Sequence, residues 1–245
     1  MDRARLPLMF VDGLTRLAAD TPDLSMALAV EDFVPALLAF LGYFLVAPSA
    51  LGRIGAVLMG AGGLAKSTWK LLHAGYGIDL PVLADLLFPL LAAGGVLLAI
   101  ALHRALRWSW WPLAVAGLAA AGLAVKQHSV QPAFIAATAF VIWISIVGAV
   151  WAWRNGAALA AALFPISVLA VLALVPLRNH PASDALAFQW VQQGVNTMAQ
   201  LIFFVAGLLT FRAVRRGGGD FPAAHQGDQP SWGIPERTTA RHRTR

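Results

Sequence analysis

Long apolar runs, broken by single charges or by Pro and Gly, set the pattern of this chain. A membrane-spanning helix needs roughly 20 largely apolar residues. Reading between the breaks gives seven such segments, at residues 30–46, 53–74, 80–102, 110–125, 131–153, 157–177 and 185–211. The pattern predicts an all-α fold, an integral membrane bundle of seven transmembrane helices over residues 30–212. Short connections predict that sequence neighbours pack antiparallel.

The flanks read differently. Leu6, Met9, Phe10, Leu14 and Leu17 share one helical face, with Arg3, Asp12, Arg16 and Asp20 among the polar positions. Residues 1–29 are thus expected to form an amphipathic, interfacial segment, broken by Thr21-Pro22-Asp23. The same charges leave no uninterrupted apolar core for a cleaved signal peptide. Gly217-Gly218-Gly219 opens a polar stretch, so residues 213–245 are expected to be a disordered, basic tail.

Composition sharpens this picture. Of 245 residues 59% are hydrophobic and 12% charged, against about 45–50% and about 25% in soluble domains. That excludes an ordinary soluble enzyme and a solvated repeat protein. The absence of cysteine excludes disulfides, thiolate metal sites and lipidated thiols. The net charge is +6, and residues 212–245 hold seven Arg against Asp220, Asp228 and Glu236. The remaining charge flanks the apolar segments as topology signals do, so nucleic acid is not an expected partner. The lipid bilayer is.

With seven spans, the side of the C-terminus receives eleven basic residues and the other side five, leaving out Lys66 and Lys70 inside a span. Dropping the four distant tail arginines leaves seven against five. The expectation is a plasma (inner) membrane protein with its N-terminus outside and its C-terminus cytoplasmic. Trp108, Trp110, Trp111, Trp151 and Trp153 would form a cytoplasmic aromatic belt. Gly52, Ala56 and Gly60, and Gly117 with Ala121, have the spacing of close helix packing, within the bundle or, alternatively, at an oligomer face.

The informative residues are polar groups within apolar segments. Lys66, Trp69, Lys70 and His73 fall at i, i+3, i+4 and i+7, an arc of about 100°. Gln189, Gln192, Gln193, Asn196 and Gln200 form a similar stripe, with Trp190 beside it. Lys66 lies roughly 12 Å and Asn196 roughly 16 Å below the outer end of its span at 1.5 Å per residue. Glu31, Asp32, Asp85, Gln127, His128 and Gln131 belong to the same half of the membrane. A charge near the bilayer centre costs about 2.5–3.5 kcal/mol, so Lys66 and Lys70 need partners or water. Asp85 is the first expected partner, with Glu31 and Asp32 next. Lys70 and His73 could instead snorkel to the surface. Asp79 and Asp184 read as helix N-caps, and Glu31 or Asp32 as an exposed cap.

No HExxH, Walker loop or GxSxG is present. The histidines form no i, i+4 pair in a span, so neither metal nor cofactor is expected. Retinal proteins carry a Schiff-base lysine in their seventh helix; here that segment has no Lys. Three functions stay open. The first is binding or transport of a small or amphipathic, anionic ligand in a polar cavity of the outer half. Lys66, Trp69, Lys70, His73, Asp85, Gln189, Trp190, Gln192, Gln193 and Asn196 would form it. The second is a membrane-embedded enzyme acting on lipid head groups or lipid-linked substrates, with Lys66 or His73 and Asp85 as an acid–base pair. The third is a non-catalytic subunit with a structural polar core. Spans one to three and five to seven show no repeat of the kind common in transporters. Pro165 and Pro176 are expected to interrupt the sixth.

Overall fold

The computed structural model describes residues 26–181 and 185–217. The N-terminal amphipathic stretch, Asp184 and the chain beyond Gly217 lie outside the described residues. Within them the chain is all helical, in ten segments that join into seven rods. Helices α1 (Met26–Glu31) and α2 (Phe33–Val46) make the first rod, and α3 (Ala50–Tyr76) the second. The third joins α4 (Pro81–Asp85) to α5 (Leu87–Ala105). Then come α6 (Trp111–Gln127) and α7 (Gln131–Arg154). The sixth joins α8 (Ala158–Leu172) to α9 (Leu174–Arg178), and α10 (Leu186–Arg216) is the seventh.

The rods match the seven predicted segments, with later ends where no breaker intervenes. The last helix passes Phe211 and runs to Arg216, stopping at the glycine run. Among the described residues five rods are long and apolar enough to cross a membrane. The other two are α3, which carries Arg53, Lys66 and Lys70, and α6, at 17 residues. The chain is compatible with a membrane protein on these grounds.

Three rods are broken, and one cause explains all three. Proline lacks the N–H that would bond the carbonyl four residues back, and its ring crowds that carbonyl. Pro35 faces the carbonyl of Glu31, Pro89 that of Asp85 and Pro176 that of Leu172. These are the last residues of α1, α4 and α8. Pro165, by contrast, is accommodated inside α8 without a break. The sixth rod is therefore interrupted once, by Pro176. All three breaks lie at the same end of the bundle, the end where the first, third, fifth and seventh rods begin.

Six rods close a ring. The α1–α2 rod packs on α3, α3 on α5, α5 on α7, α7 on α8, α8 on α10, and α10 returns to α2. The α6 rod stands outside, against α5 and α7, and buries no residue fully. At the unbroken end the ring is filled by Val46, Leu98, Leu102, Ile144, Val147 and Phe164. Small residues set the spacing there. Gly55 and Gly94 face each other so closely that a Cβ on Gly55 would lie 2.5 Å from the Gly94 carbonyl oxygen. Gly52 meets α5, while Gly60 meets Phe40 of α2, so the predicted small-residue stripe serves contacts within the bundle. Gly117 packs on Val96.

Gly55→Ala should lower the melting temperature of the purified protein, by about 1–3 kcal/mol, because neither backbone can retreat. Gly122, in α6, has nothing within 4 Å of an added Cβ. Gly122→Ala should therefore raise stability by about 0.4–1 kcal/mol. Thermal unfolding of both variants checks the opposite signs.

Candidate functional site

At the broken end the ring is not filled. A cavity of about 290 Å³ sits on its axis, lined from α2, α3, α5, α7, α8 and α10. Its polar lining is Asp32, Lys66, Ser67, Lys70, Gln193 and Asn196, with Gln200 and Tyr43 deeper. The lysines come one turn apart on α3, whose next turn is Gly63, small enough to leave room beside Ala36. Gln193, Asn196 and Gln200 follow at i, i+3 and i+7 on α10, the spacing that keeps one face toward the axis. The two predicted stripes thus meet at one cavity.

The break at Asp32 builds the mouth. Asp32 has helical dihedrals and makes no capping hydrogen bond through its side chain. Its carboxylate instead forms an ion pair with Lys70. Its backbone carbonyl accepts a hydrogen bond from the Ser67 hydroxyl at 3.1 Å, which the same hydroxyl shares with the Gly63 carbonyl. Beside it, Thr197 of α10 donates to Glu31 Oε1 at 2.6 Å. Neither acid is the exposed cap that its position suggested, because the helix does not begin there. It is interrupted there, and both side chains turn inward to α3 and α10.

Two further expectations are corrected. Asp85 pairs with neither lysine; it is exposed at the end of α4 and makes no ion pair among the described residues. Leu87, two residues on and so on the opposite side of the rod, lines the cavity instead. Asp79 does not cap α4, whose N-cap residue is Leu80. Gly77 ends α3 in the left-handed region, at φ 65°, and reverses the chain. Asp79 thereby returns to α3 and accepts a hydrogen bond from the Trp69 indole at 2.9 Å. The Trp69 ring stacks on His73 at 5.8 Å between centroids.

Of the ten predicted site residues, Lys66, Lys70, Gln193 and Asn196 line the cavity. Trp69 and His73 lie on α3 outside that lining, in their own stacked pair. Gln189 is half-buried one turn nearer the end of α10. Gln192 turns aside and donates to the Leu177 carbonyl of α9 at 3.4 Å. Trp190 is 41% exposed and faces outward. Sequence reasoning missed Tyr43, Ser67 and Thr197. The signal for the first break was present, since Pro35 follows Glu31 by four residues. Tyr43 sits in an otherwise apolar run, and nothing in the sequence marks it.

Gln193 is the most telling of these side chains. It is 9% exposed, lines the cavity, and its Nε2 has no hydrogen-bond partner. A buried amide without a partner is costly, about 1–3 kcal/mol, unless something in the cavity accepts from it. Among the described residues no His, Cys, Asp and Glu cluster could hold a metal ion. A larger hollow, about 730 Å³ between α5, α6 and α7, is mostly apolar and holds none of the predicted site residues.

A second polar cluster lies at the opposite end. The Trp143 indole donates to His103 Nε2 at 3.0 Å, and His103 Nδ1 lies 2.7 Å from the Ser109 carbonyl. An indole N–H only donates, so Nε2 is the bare nitrogen and Nδ1–H donates to Ser109. His103 is buried and fully bonded. It joins α5, the following loop and α7, a structural role. The chain matches no protein-family model, no curated protein and no solved structure.

Both partners of the Asp32–Lys70 pair are largely buried, at 12% and 23% exposure. Asp32→Ala or Lys70→Ala should each destabilise by about 1–3 kcal/mol, below the roughly 3–5 kcal/mol of a fully dry pair. The double variant Asp32→Ala/Lys70→Ala should cost clearly less than the sum of the two single losses, because it leaves neither charge buried and unpaired. A thermal double-mutant cycle measures the difference.

Proposed function

We propose that this chain is a seven-span membrane protein whose cavity, open toward the outer face, binds or transports a small or amphipathic ligand with an anionic group. The observation that carries the reading is the meeting of Lys66, Lys70, Gln193 and Asn196 at one cavity, with the Gln193 amide unpartnered. The lining holds two lysines against one carboxylate, Asp32. Glu31 bonds Thr197 and is not part of the lining. An anionic group could approach the lysine ammonium groups of this lining, and the amides of Gln193 and Asn196 supply donors beside them. At about 290 Å³ the space is near the lower end of small-molecule sites, about 300–1,000 Å³.

The alternative of a structural polar core rests on the Asp32–Lys70 and Thr197–Glu31 bonds, which join three rods. The enzyme reading needs Asp85 beside Lys66 or His73, and exposed Asp85 gives it no support. In the proposed topology the N-terminus is outside and the C-terminus cytoplasmic, in the plasma (inner) membrane. Trp110, Trp111 and Trp153, all exposed, would lie at the cytoplasmic interface.

Mass spectrometry of the protein purified from native membranes should find an anionic small molecule or amphiphile enriched on it. Lys66→Ala and Asn196→Ala should each reduce that enrichment roughly tenfold, the loss expected from one charge-assisted bond, with folding retained. Equal recovery from the variants would sink the ligand reading in favour of the structural core. Orientation has its own check, because the chain contains no cysteine. Gln127→Cys should react with an impermeant maleimide on intact cells, and Ala158→Cys only after permeabilisation.

A further inference from the structure

Charge is divided between the two ends of the bundle. Among the described residues the four acids, Glu31, Asp32, Asp79 and Asp85, all lie at the broken end. The unbroken end carries seven arginines, Arg104 and Arg107 at the close of α5 among them, and no acid among the described residues. Three of the seven are engaged. Arg53 lies over the Phe44 ring, Arg154 over Trp108 and Arg215 over Phe211. Arg212 and Arg216 have neither a ring contact nor an ion pair among the described residues, and both line a single hollow.

That hollow, of about 370 Å³, lies between α8 and α10 beside the turn that joins α7 to α8. Gly156 reverses the chain there at φ 76°, and a Cβ added to it would meet nothing within 4 Å. On α10 the lining residues Leu209, Arg212, Ala213 and Arg216 fall at i, i+3, i+4 and i+7, one face of the helix. Half-buried Leu209 lies toward the middle of the bundle on this face, and the two exposed arginines lie toward its end. Opposite, α8 supplies Ala158, Leu159 and Ala160. Leu159 is 64% exposed, so the hollow joins open hydrocarbon to two free cations.

From this arrangement we infer that the hollow between α8 and α10 binds an anionic membrane lipid. Arg212 and Arg216 hold its phosphodiester, and the start of its chains lies against Leu159 and Leu209. A guanidinium presents paired N–H donors that match phosphate oxygens. Basic pockets between spanning helices on the cytoplasmic side, where the proposed topology puts this end, suit such head groups. Two like charges one turn apart repel, and a phosphate beside both relieves that repulsion. A soluble phosphate would leave Leu159 and Leu209 uncovered, whereas a lipid satisfies both parts of the lining. The inference rests on the bundle lying in a bilayer and is independent of any ligand in the axial cavity at the other end.

The test titrates phosphatidylglycerol and, separately, phosphatidylcholine into the full-length protein in a non-ionic detergent and counts bound lipid by native mass spectrometry. Phosphatidylglycerol should bind at least about tenfold more tightly, the gain expected from two basic side chains. Arg212→Gln and Arg216→Gln should each weaken it roughly tenfold, the loss of one charge-assisted bond. Arg215→Gln removes the same charge from the same helix and should leave binding within about twofold. Ala158→Trp, at an exposed lining position, should weaken binding by filling the hollow with no change of charge. Glycerol phosphate, a head group without chains, should not displace the lipid at equal concentration. Equal binding of the two lipids would overturn the recognition of charge. Equal losses in Arg212→Gln and Arg215→Gln, or parental binding by Ala158→Trp, would overturn the hollow as the seat. Full displacement by glycerol phosphate would overturn the lipid in favour of a soluble phosphate.

Discussion

A missing N–H at three prolines shapes one end of this molecule. Pro35, Pro89 and Pro176 each leave the carbonyl four residues back without its helical donor, and each rod breaks at that point. Had the breaks been scattered, each would be a local kink of small consequence. Alternating chain direction brings them instead to a common level. There the ring of six rods cannot close on itself as it does at the other end, where Gly55 and Gly94 bring two backbones together. The cavity lies at that level, lined from all six rods of the ring. At the same place Asp32 pairs with Lys70, and its carbonyl accepts from the Ser67 hydroxyl.

Much of this was legible in the sequence, and the parts that were not have a common reason. Helical periodicity is a property of one segment, and it placed Lys66 with Lys70 and Gln193 with Asn196 correctly on shared faces. It could not set how wide a face the cavity sees. The α10 stripe spans about 100°, but Gln192 at its edge meets Leu177 of the neighbouring rod, and Trp190 turns to the outside. Pairing across rods depends on lateral order, which no single segment encodes. Asp85 and Asp32 stood at comparable depth, and choosing between them required knowing that the third rod turns Leu87, not Asp85, to the cavity. Asp79 misled for a related reason, since its position before Leu80-Pro81 resembles a cap. The left-handed Gly77 instead returns it to Trp69.

The polar groups are ordered by depth in a way that desolvation dictates. The ion pair lies at the mouth, where Lys70 retains 23% of its exposure. The amides follow, with the Tyr43 phenol at 5% exposure in the deeper lining. Full charges cost more to dehydrate than neutral dipoles, and dipoles more than apolar groups. A bundle that must hold polar groups in a low-dielectric interior is least strained when they are graded in this order.

That grading bears on the choice between binding and passage. Moving a charged ligand through the ring would take it past Leu98, Leu102, Ile144, Val147 and Phe164, all fully buried and mutually packed. Among the described residues, buried His103 is bound on both nitrogens, and Ser145 and Thr210 donate to carbonyls of their own helices. Parting α3 from α5 would also separate backbones in direct contact at Gly55 and Gly94, where close packing is a main source of cohesion in lipid. The broken end asks for no such cost, because the cavity already lies there. The geometry thus favours a site entered and left from one half of the bundle over a route that traverses it. Transport by this fold would require a second state in which the glycine contacts are lost.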